Sequence, residues 1–378
     1  MQGFEYESGT RLVFGAGALA RLGSLAAGLG AGRVLVVTDP GIAAAGILAR
    51  AVESLAAAGL EHAVFDGVEK NPCSRHVESG RGFAGELTRP PDFVVALGGG
   101  SAMDCAKGIN FLLTNGGRIE DYRGDGKAKK PLLPAIGVPT TAGTGSEAQR
   151  FALIGEGESG MKMACGDSSA RFRAALLDPE LTATAPREVA AAAAVDAVSH
   201  AVESFVSANG NEVSRMFAAR ALQLLAANLR ESLGSGSVEA RAGMLLGAHW
   251  AGAAIENSML GAAHACANPL TARFGITHGV AVGVMLPHVI RFNGAAVDGR
   301  YAELARAAGM ETAGADALAE CVRSWNAEAA LPERLRDLDV EAAALPDLAR
   351  QAASQRTAGF NPRPAGEREL AGLYEAAF

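Results

Sequence analysis

The chain has 378 residues, 49% of them apolar and 20% charged, a globular composition that excludes a disordered or collagen-like chain. The formal net charge of −7 is spread without a basic block, which argues against nucleic acid as a partner. No apolar run approaches the ~18 residues of a membrane span, the start (MQGFE) lacks a secretory signal's basic and apolar regions, and the five cysteines lie far apart with no CxxC pair; a cytoplasmic protein without disulfides or a zinc–cysteine site is expected.

At roughly 100–200 residues per domain, two domains are expected. Residues 1–182 alternate short β-rich runs with helical stretches. Strands are predicted at 33–38 (RVLVVT) and 92–97 (DFVVAL), with weaker signals at 62–65 and 135–138. Apolar residues at helical spacing predict helices over 43–58, 75–87 and 102–112. That rhythm implies a parallel sheet covered by helices. After Asp178-Pro179 strand-like runs nearly vanish. Ala/Leu/Val-rich stretches at 187–208, 213–229, 237–257, 299–308, 314–328 and 366–377 predict an all-α domain over 183–378.

Two loops follow strands of the first half. Gly98-Gly99-Gly100-Ser101 ends one strand and opens a helix, where glycines let a phosphate approach the backbone and the helix N-terminus favours an anion. It is not the GxGxxG fingerprint, and a plain tight turn reads equally well. The second loop, 139–147 (PTTAGTGSE), carries two glycines and four hydroxyls in nine residues, donors suited to phosphate or ribose oxygens; a helix cap is its bland reading. Asp39 sits just past the strand 33–38. An acid there can accept hydrogen bonds from an adenosine ribose and would repel a 2′-phosphate, favouring NAD over NADP, although Asp39-Pro40-Gly41 also reads as a simple turn.

Seven histidines are present, and three stand in informative places. Asp196 and His200 are i and i+4 in a predicted helix and share a face. His264 begins HACANPL, and His278 precedes Gly279 in THGVAVG. One carboxylate and three imidazoles could bind one divalent metal and leave a position open; iron(II) and zinc both suit such donors, and no thiolate joins the set. Singly, each of these residues reads as a surface or core group. His62, His76, His249 and His288 read as structural or surface residues.

Together these segments resemble one family. Asn71-Pro72, 98–108 (GGGSAMDCAKG), 139–147 (PTTAGTGSE), 177–180 (LDPE), 196–204 (DAVSHAVES), 260–270 (LGAAHACANPL), 277–288 (THGVAVGVMLPH) and 361–363 (NPR) are similar, in number, order and spacing, to the iron-containing (group III) alcohol dehydrogenases along nearly the whole chain. The resemblance implies α/β plus all-α architecture of the dehydroquinate synthase type. An N-terminal Rossmann-like domain (1–182) would bind NAD, and a helical metal-binding domain (183–378) would carry the catalytic metal, with the active site in the cleft between them. It implies that Gly98, Gly99, Gly100 and Ser101 hold the pyrophosphate. Asp39, Asn71, Thr140, Thr141, Ser146 and Lys162 would line the NAD site, with Asp104 as structural support. It implies that Asp196, His200, His264 and His278 bind Fe(II), or Zn(II), and act through it on a small alcohol or aldehyde, in a homodimer or higher homo-oligomer.

The chain departs from the family pattern. Asn268 stands where HAxAH carries a second histidine often given a proton-relay role, and an asparagine is no general base at neutral pH. Ala148-Gln149 replaces the usual Val-Thr, and Arg171-Phe172-Arg173 stands where a proline is common. The basic residues Arg150, Lys162, Arg171 and Arg173 could favour an anionic aldehyde or simply be solvated. The rival readings are a dehydroquinate-synthase-like lyase and a degenerate, non-catalytic member that binds NAD or metal without turnover.

Overall fold

The computed structural model describes residues 3–157, 160–311 and 313–378. The chain forms two compact units. One comprises Glu7–Thr141 and Ser146–Ala185; the other comprises Pro186–Phe378 together with Ala142–Gly145 and the stretch up to Tyr6.

The first unit is built on a six-stranded sheet. Its strands are β1 (Arg11–Phe14), β2 (Arg33–Val37), β3 (Glu61–Phe65), β4 (Phe93–Gly98), β6 (Ala135–Pro139) and β9 (Ala174–Leu177), in the spatial order β1-β9-β6-β4-β2-β3. Every pairing in it is parallel. The apolar runs of β2 and β4 are buried on both faces, as central parallel strands must be. The helices of this unit are α1 (Leu22–Gly28), α2 (Pro40–Ala44), α3 (Ile47–Ala57), α4 (Ser74–Gly85) and α5 (Gly100–Asn115). A small second sheet sets β5 (Gly124–Asp125) parallel to β8 (Lys162–Gly166), which pairs antiparallel with β7 (Phe151–Gly155).

The sheet order corrects and extends the sequence expectations. The single helix expected over 43–58 is two, α2 and α3, because Gly46 takes a left-handed φ of 77° between them. The four-residue strands β1 and β9, and the β7–β8 pair, were not anticipated. After β3 the chain crosses back over β2 to β4, which makes the β2/β4 boundary a topological switch point. The carboxyl ends of strands at such a point are where open α/β sheets bind ligands.

The second unit is helical: α6 (Arg187–Val206), α7 (Glu212–Leu233), α8 (Val238–Glu256), α9 (Ala262–Phe274), α10 (His278–Ala307), α11 (Ala315–Glu328), α12 (Leu345–Ala353) and α13 (Glu367–Ala377). From Ala194 to Val206 every residue of α6 is buried, the pattern of a helix at the centre of a bundle. The helix expected over 299–308 is the last part of the longer α10, which bends at Val297 (φ −138°, ψ 25°). Pro287 interrupts α10 and removes the N–H that Gly283 C=O would accept. Asn326 Nδ2 of α11 donates to that carbonyl instead, at 2.7 Å.

The expectation that no segment approaches a membrane span also needs correction. By length and composition alone, α6 and α10 are long and apolar enough to cross a membrane. The most apolar stretch of α6 is 83% buried, however, which is the signature of a core helix.

The segment 177–180 (LDPE) earns its place by geometry. Asp178, fully buried, accepts N–H bonds from Gly17 (3.1 Å), Leu19 (3.0 Å) and Glu180 (3.1 Å), tying the end of β9 to the turn after β1. Asp178→Ala strands these donors and lowers unfolding free energy by about 3 kcal/mol; urea denaturation measures it, and a loss below about 1 kcal/mol contradicts the anchoring role.

Candidate functional site

Two groups of side chains stand out, one in each unit. In the sheet unit, Asp39, Gly98–Ser101 and Thr140–Thr141 lie at the carboxyl ends of the adjacent strands β2, β4 and β6. Asp39 caps α2, its Oδ1 accepting the Ile42 N–H at 3.1 Å, with Pro40 at the first helical position. Gly98 has φ 150°, and a Cβ there would come within 2.8 Å of Ala102 Cβ and 3.2 Å of Asp39 Oδ2. Only glycine therefore lets β4 turn into α5 beside Asp39. The Thr140 N–H donates to Gly98 C=O at 3.0 Å and locks the second loop to the first. Gly99, at the N-cap of α5, offers no side-chain cap, and the first backbone bond of the helix runs from Ala102 N–H to Gly99 C=O at 3.0 Å, so the Gly100 and Ser101 N–H groups precede the helix's own bonds.

Asn71, Lys162 and Ser146 are the other expected cofactor residues. Asn71 follows β3 in an exposed loop and takes a left-handed φ of 54°. Lys162 opens β8 of the small sheet, paired with Gly155 of β7. Ser146 is buried in a network that the sequence pattern does not reveal. Lys107, 2% exposed, donates from Nζ to Ser146 Oγ (2.9 Å), Ser146 C=O (2.8 Å) and Phe151 C=O (2.8 Å). Ser146 Oγ in turn donates to Asp104 Oδ1 at 2.7 Å. Burial pushes the Asp104 carboxyl above its ordinary range against the opposing pull of Lys107. Asp104 thus supports the loop that follows β6.

In the helical unit the structure brings Asp196, His200, His264 and His278 together. Asp196 and His200 stand one turn apart on α6. His264 is in the first turn of α9, and His278 is the first residue of α10. The Nε2 atoms of the three imidazoles lie 3.5, 3.7 and 4.0 Å from Asp196 Oδ1. The His200 and His264 rings stack at 4.9 Å, and His264 and His278 are tilted at 5.3 Å. Asp196, His200 and His264 are 4%, 5% and 3% exposed.

Burial works against a charged Asp196, yet His200, His264 and His278 together hold its carboxyl well below the usual range. Burial lowers His200 to about 4, with Asp196 opposing. Burial likewise works to lower His264, but the nearby Asp196 carboxylate and the contact with Glu203 outweigh that and raise it to about 9.

The donor set fits a divalent cation. Ligand atoms of Asp196, His200 and His264 lie within 4.8 Å of one another. Asp196 Oδ1 and His264 Nε2 are buried without a hydrogen-bond partner. Buried polar atoms are as a rule paired, so a converging carboxylate oxygen and imidazole nitrogen, both unsatisfied, mark a place for a positive ion.

Two further residues complete the surroundings; both lie in segments quoted for the family resemblance, which gives neither a role. Glu203 lies one turn beyond His200 on the same face of α6 and meets His264 Nδ1 at 2.6 Å. Asn361 accepts the Ala262 N–H at 3.2 Å, at the start of α9. The i, i+4, i+7 spacing of Asp196, His200 and Glu203 is the signal that could have found Glu203. Asn268, one turn beyond His264, donates from Nδ2 to Gln355 Oε1 at 3.1 Å.

The chain resembles known proteins along its whole length. A model described as iron-containing alcohol dehydrogenase matches residues 9–179, and one for the C-terminal part of the Fe-containing alcohol dehydrogenase family matches residues 190–378. A 1,3-propanediol dehydrogenase of Klebsiella pneumoniae is 35% identical over 374 residues, covering 97% of this chain and 96% of that protein. A lactaldehyde reductase of Escherichia coli is 32% identical, covering 97% of each. Among solved structures, a 1,3-propanediol oxidoreductase superposes with a TM-score of 0.94 at 34% identity, over 100% of both chains. A sulfoacetaldehyde reductase from Bifidobacterium kashiwanohense, in complex with NAD+, gives a TM-score of 0.90 at 28% identity, over 100% of this chain and 99% of that one.

The buried network around Lys107 makes a direct prediction. Lys107→Met leaves Asp104 and the Ser146 and Phe151 carbonyls without their cation and destabilises the protein by about 3–5 kcal/mol. Adding Asp104→Leu recovers part of that loss. Denaturation midpoints of the single and double variants measure both; a fully additive pair contradicts the coupling.

Proposed function

The chain belongs to the iron-containing alcohol dehydrogenase family, an oxidoreductase family, and we propose that it is an NAD-linked, metal-dependent member that interconverts a small alcohol and its aldehyde. The observation that carries the reading is the convergence of His200, His264 and His278 Nε2 on the buried Asp196 Oδ1. Asp196, His200, His264 and His278 would hold Fe(II), with Zn(II) as the alternative, since nitrogen and oxygen donors without a thiolate suit both. Bound there, the metal supplies Lewis-acid polarisation of an alcohol or carbonyl oxygen, and NAD supplies the hydride acceptor.

The chain's own residues contribute position and charge. One carboxylate and three neutral imidazoles leave a divalent site near +1, which favours an anionic oxygen. Their burial keeps that charge poorly screened. The Asn268 amide is neither an acid nor a base at neutral pH, and its Nδ2 is committed to Gln355, so it orients rather than relays. In the sheet unit, Gly98, Gly99, Gly100 and Ser101 offer backbone N–H groups at the start of α5 to a pyrophosphate. Thr140 and Thr141 extend that donor surface. Asp39 Oδ2, beside Gly98, is positioned to accept from a ribose hydroxyl and to repel a 2′-phosphate. Relatives named dehydrogenases and reductases support this reading over a lyase on the same architecture.

Two measurements test it. His264→Ala loses most bound metal and at least about a hundredfold in NADH turnover with lactaldehyde or a panel of small aldehydes, while the fold is retained; elemental analysis alongside the assay reads both. A variant with full metal content and rate removes His264 from the ligand set. Asp39→Gly narrows the preference for NAD over NADP about tenfold in kcat/KM, some 1.4 kcal/mol; an unchanged ratio refutes the ribose role.

A further inference from the structure

Glu203 makes two contacts at once, and both end on the first turn of α9. Its Oε1 accepts the Ala263 N–H at 2.7 Å, and its Oε2 lies 2.6 Å from His264 Nδ1. The side chain is 3% exposed. The neighbouring donor, Ala262 N–H, goes to Asn361 Oδ1, which also accepts from Asn293 Nδ2 at 3.0 Å. Gly261 admits both acceptors: a Cβ there would sit 2.9 Å from Asn361 Oδ1 and 3.0 Å from Glu203 Oε1.

A carboxylate can only accept, so the 2.6 Å contact requires that Nδ1 carry the proton. In the neutral ring the lone pair is then on Nε2, the atom that faces Asp196 Oδ1 at 3.7 Å. Without Glu203 the ring would be free to adopt the other tautomer, with a proton where a metal must bind. We propose that Glu203 is a positioning residue of the metal centre, holding His264 in the Nδ1-protonated form with Nε2 presented to the site and fixing the turn of α9 that carries it. The inference rests on the metal-centre reading above. A plain helix cap would need only Oε1, since Asn361 already serves the adjacent N–H. The second contact, to the ring, is what assigns Glu203 to the site.

The informative variant is Glu203→Gln. Its amide oxygen can serve the Ala263 N–H or the His264 Nδ1–H but not both. With the oxygen on Ala263, the NH2 group faces Nδ1 and favours the wrong tautomer. Zn(II) affinity of the metal-free protein, measured by competition with a chromophoric chelator at neutral pH, should fall about 10–100-fold relative to wild type. 15N spectra of histidine-labelled, metal-free wild type, taken at a pH where the His264 ring is neutral, should show the proton on Nδ1. In Glu203→Gln the apo ring should shift to the Nε2–H form, a change that a merely structural cap would not produce.

Undiminished Zn(II) affinity in Glu203→Gln, with His264→Ala losing it, overturns the role of Glu203 and leaves the metal centre standing. Absence of Zn(II) binding by wild type overturns both. If Glu203→Gln does not fold, the metal-free wild-type spectrum decides: a neutral His264 ring protonated on Nδ1 supports the assignment, and one protonated on Nε2 overturns it.

Discussion

A carboxylate sealed inside an apolar helical bundle is the constraint on which the helical unit turns. Removing an ion from water costs several kcal/mol even after relaxation, and Asp196 is 4% exposed. The unit answers with three imidazoles brought from α6, α9 and α10, so the packing of these helices and the compensation of one charge are the same problem. A second buried carboxylate, Glu203, deepens the negative potential instead of relieving it. Together they draw a proton onto His264, and the same attraction would hold a divalent cation. The site is therefore electrostatically incomplete as a protein, in a way that apolar packing alone would never produce.

The sheet unit solves a steric problem with the same economy. Its loops must leave room at the carboxyl ends of β2, β4 and β6, and glycine at 98 is what allows it. The two aspartates there divide into distinct roles. Asp39 caps a short helix with one oxygen and keeps the other beside the glycine loop. Asp104 is committed inward, through Ser146, to the buried Lys107. The hydroxyl of Ser146, a residue expected to line a cofactor, belongs to that network and supports the loop from within.

What the sequence revealed and what it hid follow from the range of each interaction. The runs 33–38 and 92–97 announce themselves because buried parallel strands are apolar throughout. The four-residue strands β1 and β9 carry too short a pattern to read. The first part of α10 contains Pro287, which reads as a helix breaker, and the carbonyl it abandons is rescued by Asn326, 43 positions away; α9 likewise runs through Pro269. The Asp196–His200 spacing made one face of a helix visible, but the meeting of that face with His264 and His278 is tertiary. Glu203 carries no role that its own helix reveals, because its partners are 60 and 61 residues distant.

The same logic gives the C-terminal segment a role that its sequence conceals. It supplies none of the three imidazoles around Asp196, yet it grips α9 along its length. Asn361 takes the N–H of Ala262 at the start of the helix, and Gln355 accepts from Asn268 one turn beyond His264. Tyr374 donates its hydroxyl to Cys266 C=O at 2.7 Å, and Asp347 pairs with Arg273 near the helix end at 2.9 Å. Asn361 is itself braced by Asn293 of α10, while Arg363 donates to Phe292 C=O and lies over its ring. The position of one imidazole thus depends on contacts reaching to Tyr374. Precision at a buried ionic site has to be built this way, since an ion tolerates small errors in the geometry of its surroundings far less than an apolar contact does.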